Sequence, residues 1–153
     1  MTTNLFSHSD LVSIAKKWLL STAKCSFVLS ELVSYSRETP DAIGWRIAYE
    51  TSILIECKVS RADFFSDSKK IFRRRPELGM GNFRWFLVPA GLISREEVPS
   101  GWGLLELHGS KVHKVCPPTK VTGDVIKRNE QFVLCSALRR VHLKGDLEKI
   151  YDD

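Results

Sequence analysis

From Ser52 to Ser60 the chain reads SILIECKVS. Ile53, Leu54, Ile55 and Val59 make this stretch apolar on both faces, the pattern of a strand covered from above and below. No other stretch limits the fold as much, because a strand of this kind needs a layer on each side. Glu56 and Lys58 interrupt it. Alternation along a strand puts both on one face with Leu54, while Ile53, Ile55, Cys57 and Val59 share the other. Charges buried without partners cost several kcal/mol each, so the pair demands either a counter-charge or a use.

Flanking periodicities supply the layers. Ser7 or Ser9 caps a helix to about Thr22, with Leu11, Ile14, Ala15, Trp18 and Leu19 on its apolar face. CSFVLSELV, about 25 to 34, predicts a first strand, and SRETPD a turn. AIGWRIAY and SILIECKV predict an antiparallel hairpin joined at Glu50-Thr51. Ser60 and Asp63 match a capping box, opening a helix whose face runs through Phe64, Phe65, Ser68, Ile71 and Phe72 until Pro76 stops it. ELGMGN predicts a loop, FRWFLVPAGLI a fourth strand ending near Pro89, and GWGLLELHG with KVHKVC a hairpin turning at Gly109-Ser110. From Asp124 a last helix turns Ile126, Val133, Leu134, Ala137, Leu138 and Val141 inward, with Gly145 as its stop. The expected fold is an α/β/α sandwich around a central mixed β-sheet.

The 153 residues suit one domain, with a core over about 9–116 and a C-terminal helical segment over about 124–150. At 43% hydrophobic and 27% charged, the composition is that of a soluble globular protein. The net charge of +5 suits an anionic partner without requiring one. The four cysteines form no CxxC pair and have no histidine at ligand spacing, which argues against zinc and a disulfide framework. With no signal-peptide pattern and no apolar run long enough to span a bilayer, the expectation is a cytoplasmic protein with no membrane partner.

On its own, Glu-x-Lys is most simply a strand-edge salt bridge. Its setting changes the balance. The hairpin begins at Pro40-Asp41, and its first arm runs back beside the strand holding Glu56 and Lys58. Asp41 is thereby brought towards them. Two carboxylates meeting at one place repel each other, and a divalent cation relieves that repulsion. Oxygen ligands suit Mg²⁺, and the backbone carbonyl of Cys57 is a further oxygen donor.

PD at 40–41 followed by ECK at 56–58 resembles the PD-(D/E)XK nuclease superfamily, the restriction-endonuclease-like fold. ECKVSRADFFSDSKK is similar to the MmcB-like DNA-repair nuclease group, whose motif continues through positions occupied here by Ser60, Asp63, Phe64, Asp67 and Lys69. That group tends to carry an aromatic residue where this chain has Lys70, and PELGMGNFR is particular to this chain. The resemblance implies Mg²⁺-dependent cleavage of a DNA phosphodiester, with Mn²⁺ able to substitute. Asp41, Glu56 and the Cys57 carbonyl would hold the ion, and Lys58 would position or activate water. DNA repair, restriction and phage or mobile-element processing all fit such an activity. Cutting both strands of a duplex is easier for a homodimer.

Other residues have competing readings. Glu31 on the first strand is an additional acid or an exposed strand-end charge. Ser60 and Asp63 are helix caps first and site residues second. Lys69 reaches a phosphate or is simply solvated. Lys69, Lys70, Arg73, Arg74 and Arg75 form the densest basic cluster and are the candidate contacts to DNA phosphates. Two rival functions remain open at this stage: a catalytically inactive nucleic-acid-binding module of the same fold, and a protein-interaction subunit.

Overall fold

The computed structural model describes residues 5–33 and 38–152. Six strands form one mixed sheet in chain order: β1 (Phe27–Leu29), β2 (Ala42–Arg46), β3 (Thr51–Cys57), β4 (Phe83–Pro89), β5 (Gly103–His108) and β6 (Lys111–Cys116). β1, β2 and β3 are successively antiparallel, β3, β4 and β5 are parallel, and β6 returns antiparallel on β5. All seven residues of β3 are buried, as its apolar run demands.

The helix α1 (His8–Ser21) covers one face. Its Leu11, Val12, Ala15, Trp18 and Leu19 pack on Ala42, Ile53, Ile55, Cys57, Trp85, Leu87, Leu105 and Leu107. Ser7 caps it, exchanging hydrogen bonds with Asp10. The cap is worth about 1 kcal/mol, whereas each large side chain buried contributes about 1.5–3 kcal/mol, so burial drives the docking and the cap sets where the helix starts. The other face carries Ile43, Trp45, Leu54, Phe86, Val88 and Leu104. Over it lie Phe64 of α2 (Arg61–Ser66), Trp102 and Val133 of α3 (Asp124–Leu143). The result is the expected α/β/α sandwich.

Several boundaries differ from expectation. The first strand is three residues long, and Glu31 lies beyond it with φ 58°. Ser34 and residues 36–37, the end of that expected strand and the start of the turn, fall outside the described residues. β2 stops at Arg46, and a 3₁₀ turn over Ile47–Tyr49 makes the connection longer than Glu50-Thr51. The helix after Ser60 is broken into α2, a 3₁₀ turn (Asp67–Lys69), a single turn over Ile71–Arg74 and another 3₁₀ turn (Pro76–Leu78). Buried Arg84 of β4 organises the end of this crossover, its guanidinium donating to the carbonyls of Met80 (2.7 Å), Gly81 (3.1 Å) and Pro76 (2.6 Å). Leu138, expected inward, is exposed, while Asn129 and Glu130 of α3 are buried.

Candidate functional site

The β2–β3 register pairs Ala42 with Ile55 and Ile43 with Leu54. One residue before that pairing, at the bend that leads into β2, Asp41 comes close enough to Glu56 for its charge to act on that carboxyl. Asp41 is held there by the backbone: its Oδ2 accepts the Cys57 N–H at 2.7 Å. In an extended strand the N–H and C=O of one residue point to the same side, so the Cys57 carbonyl also faces Asp41. His8, at the start of α1, places Nε2 3.2 Å from Asp41 Oδ1, a partner to which the sequence assigned no role.

Glu56 is 2% exposed and Lys58 5%. They do not pair with each other as an isolated strand-edge bridge would. Lys58 Nζ lies 3.1 Å from Asp67 Oδ1 and 3.8 Å from Asp63 Oδ1. Glu56 faces Arg73 Nη2 at 3.5 Å and Lys70 Nζ at 3.7 Å. Lys70 also reaches Asp67 at 2.9 Å, and Arg73 reaches Glu38 Oε1 at 3.2 Å and binds Asp67 through Nε. Glu38 closes the network by accepting the Met80 N–H at 2.9 Å. Four carboxyl groups, Glu38, Glu56, Asp63 and Asp67, thus meet three cations, Lys58, Lys70 and Arg73. Such pairing offsets part of the cost of taking these groups out of water.

The groups do not respond alike. Burial pushes the Glu56 carboxyl up to about 8; Arg73 opposes that shift and Asp41 reinforces it. Burial also raises Asp67, but Arg73, Lys58 and Lys70 outweigh it and hold the carboxyl at about 2. Burial lifts the Cys57 thiol well above its ordinary range, with the nearby Asp41 and Glu56 charges adding to the effect. Cys57 therefore contributes through its backbone and not as a thiolate.

Two features fit a hard divalent cation. Asp41, Glu56 and the Cys57 carbonyl form an all-oxygen donor set. Glu56 Oε1 is buried and makes no hydrogen bond among the described residues, although Arg73 Nη2 lies 3.5 Å from it. Among those residues no three His, Cys, Asp or Glu side chains converge on one point. Asp41 and Glu56 are the carboxyl groups at this point, so the rest of any coordination shell would have to come from backbone, water and phosphate.

The remaining candidates divide. Ser60 accepts the Asp63 N–H at 3.1 Å and caps α2, and Asp63 also reaches Lys58. Glu31 is exposed past the end of β1. The basic run is split. Arg73 turns inward, its side chain 4% exposed, with its guanidinium over the Trp102 ring at 4.4 Å. Lys70 is half-buried against Glu56 and Asp67. Arg75 pairs with Glu77 at 2.8 Å. Lys69 and Arg74 are exposed. Glu38, Asp67 as an ion partner, and His8 are the neighbours sequence reasoning missed. Asp67 had a signal, its place in the extended motif; Glu38 and His8 had none.

Among the described residues no helix is long and apolar enough to cross a membrane. No family model matches the sequence, and no curated protein matches it. The chain is similar in structure to the SPO1766 protein of unknown function from Silicibacter pomeroyi, with 23% identity, a TM-score of 0.67 and coverage of 95% of this chain and 96% of that one. At that identity the likeness shows a shared α/β fold and nothing of activity.

Proposed function

We propose that this chain is a metal-dependent DNA nuclease of the PD-(D/E)XK type, related to the MmcB-like group and working in the cytoplasm. The observation that carries the reading is the apposition of Asp41 and Glu56 across the β2–β3 pair, with the Cys57 backbone beside them and Lys58 following on the same strand. Asp41, Glu56 and the Cys57 carbonyl are the residues that would hold Mg²⁺ or Mn²⁺. A bound ion supplies Lewis-acid stabilisation of charge on a phosphoryl oxygen.

The chain's own groups divide the remaining work. Asp41 is fixed by the Cys57 N–H, so its second oxygen has a defined direction. Glu56, whose carboxyl burial pushes up to about 8, would have to lose its proton to hold a cation. Lys58, aimed by Asp67 and Asp63, offers an ammonium to the attacking water or to the charge growing on phosphorus. Lys70, half-buried beside Glu56, could turn to a phosphate, while Arg73 stays with Glu38 and Asp67. Lys69 and Arg74 would contact the flanking DNA backbone. A homodimer would allow both strands of a duplex to be cut.

The test is cleavage of plasmid, single-stranded and branched DNA with Mg²⁺ or Mn²⁺ present. Wild type should cut and Lys58→Ala should lose the activity by at least about a hundredfold. Equal cleavage by both proteins, or none by wild type, overturns the nuclease reading. One observation favours a second reading, an inactive nucleic-acid-binding module: Glu56 already faces Arg73 and Lys70. That reading expects salt-sensitive DNA binding that is indifferent to divalent ions and to Glu56→Gln.

A further inference from the structure

A cleft of about 440 Å³ opens on the α1 side of the sheet, near the start of β3 and β4. The Asp41–Glu56 site lies on the opposite face, at the far end of β3. Aromatic rings form much of the wall: Trp85 and Phe83 of β4, with Tyr49 at the rim, 70% exposed. Three cations, Lys24, Arg46 and Lys114, line it, and none of the residues lining it is acidic. The Arg46 guanidinium lies 5.3 Å from the Tyr49 ring centre and 5.4 Å from that of Phe83. The Lys114 ammonium lies 5.6 Å from the ring centre of Trp18. Gly103 makes room for one wall: a Cβ there would fall 2.5 Å from Trp85 and 2.8 Å from Pro118. A side chain at 103 would therefore push the indole and Pro118 apart.

We propose that this cleft binds single-stranded nucleic acid, one or two bases stacking on the Arg46–Tyr49–Phe83 platform and the adjoining phosphates meeting Lys24 and Lys114. Rings and a guanidinium plane recognise bases of any sequence, and unopposed cations recognise the backbone. An acidic peptide would satisfy the charges but leave the rings unused. A duplex keeps its bases stacked on one another and cannot offer a face. In the nuclease reading, the cleft would hold a strand away from the cutting centre. The inference does not depend on that reading, because it requires neither metal nor Glu56.

The test is fluorescence anisotropy of a labelled oligo(dT) of about ten nucleotides, a length typical of such sites, in chelator at low salt. Wild type should bind, and Tyr49→Ala should bind about tenfold more weakly. Lys24→Ala/Lys114→Ala should flatten the dependence on salt. All these positions are at or near the surface, and circular dichroism checks that each variant is folded. Unchanged binding by Tyr49→Ala and by the double lysine variant overturns the proposal. So does equal affinity for thymidine monophosphate or for a duplex of the same length, or equally effective competition by polyglutamate. Loss of plasmid cleavage with this binding intact would sink only the nuclease reading.

Discussion

Glu56 sits where a carboxylate is costly, beneath the surface and close to Asp41. Its carboxyl is raised to about 8 from an ordinary 4.5. Folded protein therefore holds this proton more tightly than unfolded chain. The stability it contributes is fully present below about pH 4.5 and is lost as pH rises through about 8. Glu56→Gln removes the titration, so the melting temperature of this variant should fall less steeply over that interval than wild type's. Parallel profiles would mean that the carboxyl is not raised. Asp41, Glu56 and Lys58 were legible in the sequence because strand alternation and hairpin topology put them together. Arg73, expected as a contact to DNA phosphates, is instead buried against Glu38, Glu56 and Asp67. An RRR run carries no sign of which arginine turns in; that depends on where the crossover breaks and on Glu38, distant in sequence. Arg73→Met should therefore behave as a core defect, leaving Glu38, Glu56 and Asp67 short of a counter-charge and costing about 3–5 kcal/mol. Arg74→Ala should cost less than about 0.5 kcal/mol. Chemical denaturation separates the two, and equal effects would contradict the placement of Arg73.

Among the elements, the crossover from β3 to β4 matters most. Apolar spacing from Phe64 to Phe72 predicts one helix, and Ser60 does start one. The chain instead breaks at Asp67 and again at Lys70. Each break brings a charged side chain to the buried cluster: Asp67 to Lys58, then Lys70 and Arg73 to Glu56 and Asp67. Electrostatic demand at the strand end thus overrides helical periodicity, which is why the break was not legible. The Ser60 cap remains an ordinary local device. Ser60→Ala should cost about 1 kcal/mol in thermal or chemical unfolding. A much larger loss would mean that Ser60 does more than start α2.

Across the whole molecule, the two faces of the sheet are held differently. The α1 face is an apolar contact, which its sequence pattern announced. The α3 face combines Ile126 and Val133 with a buried polar mooring. Glu130 accepts the Trp45 indole N–H at 3.1 Å and the Ser52 hydroxyl at 3.0 Å, and Lys127 meets the same carboxylate at 3.2 Å. Asn82 also binds Ser52, its Oδ1 accepting the Ser52 N–H at 3.0 Å. Helical spacing could place α3 but could not reveal this mooring, because its partners come from three separate elements. Glu130→Ala should cost at least about 2 kcal/mol by stranding buried donors, and a neutral outcome would remove the mooring from the explanation of how α3 is seated. The sheet, in turn, brings Asp41 near Glu56 through the β2–β3 pairing and the bond from the Cys57 N–H, and the candidate cation site follows from both. The most direct measurement is the anomalous difference density of a crystal soaked in Mn²⁺. A peak touching Asp41, Glu56 and the Cys57 carbonyl, with Lys70 turned away from Glu56, is the predicted result. No peak there, with Glu56 still facing Arg73 and Lys70, would contradict the metal-dependent site.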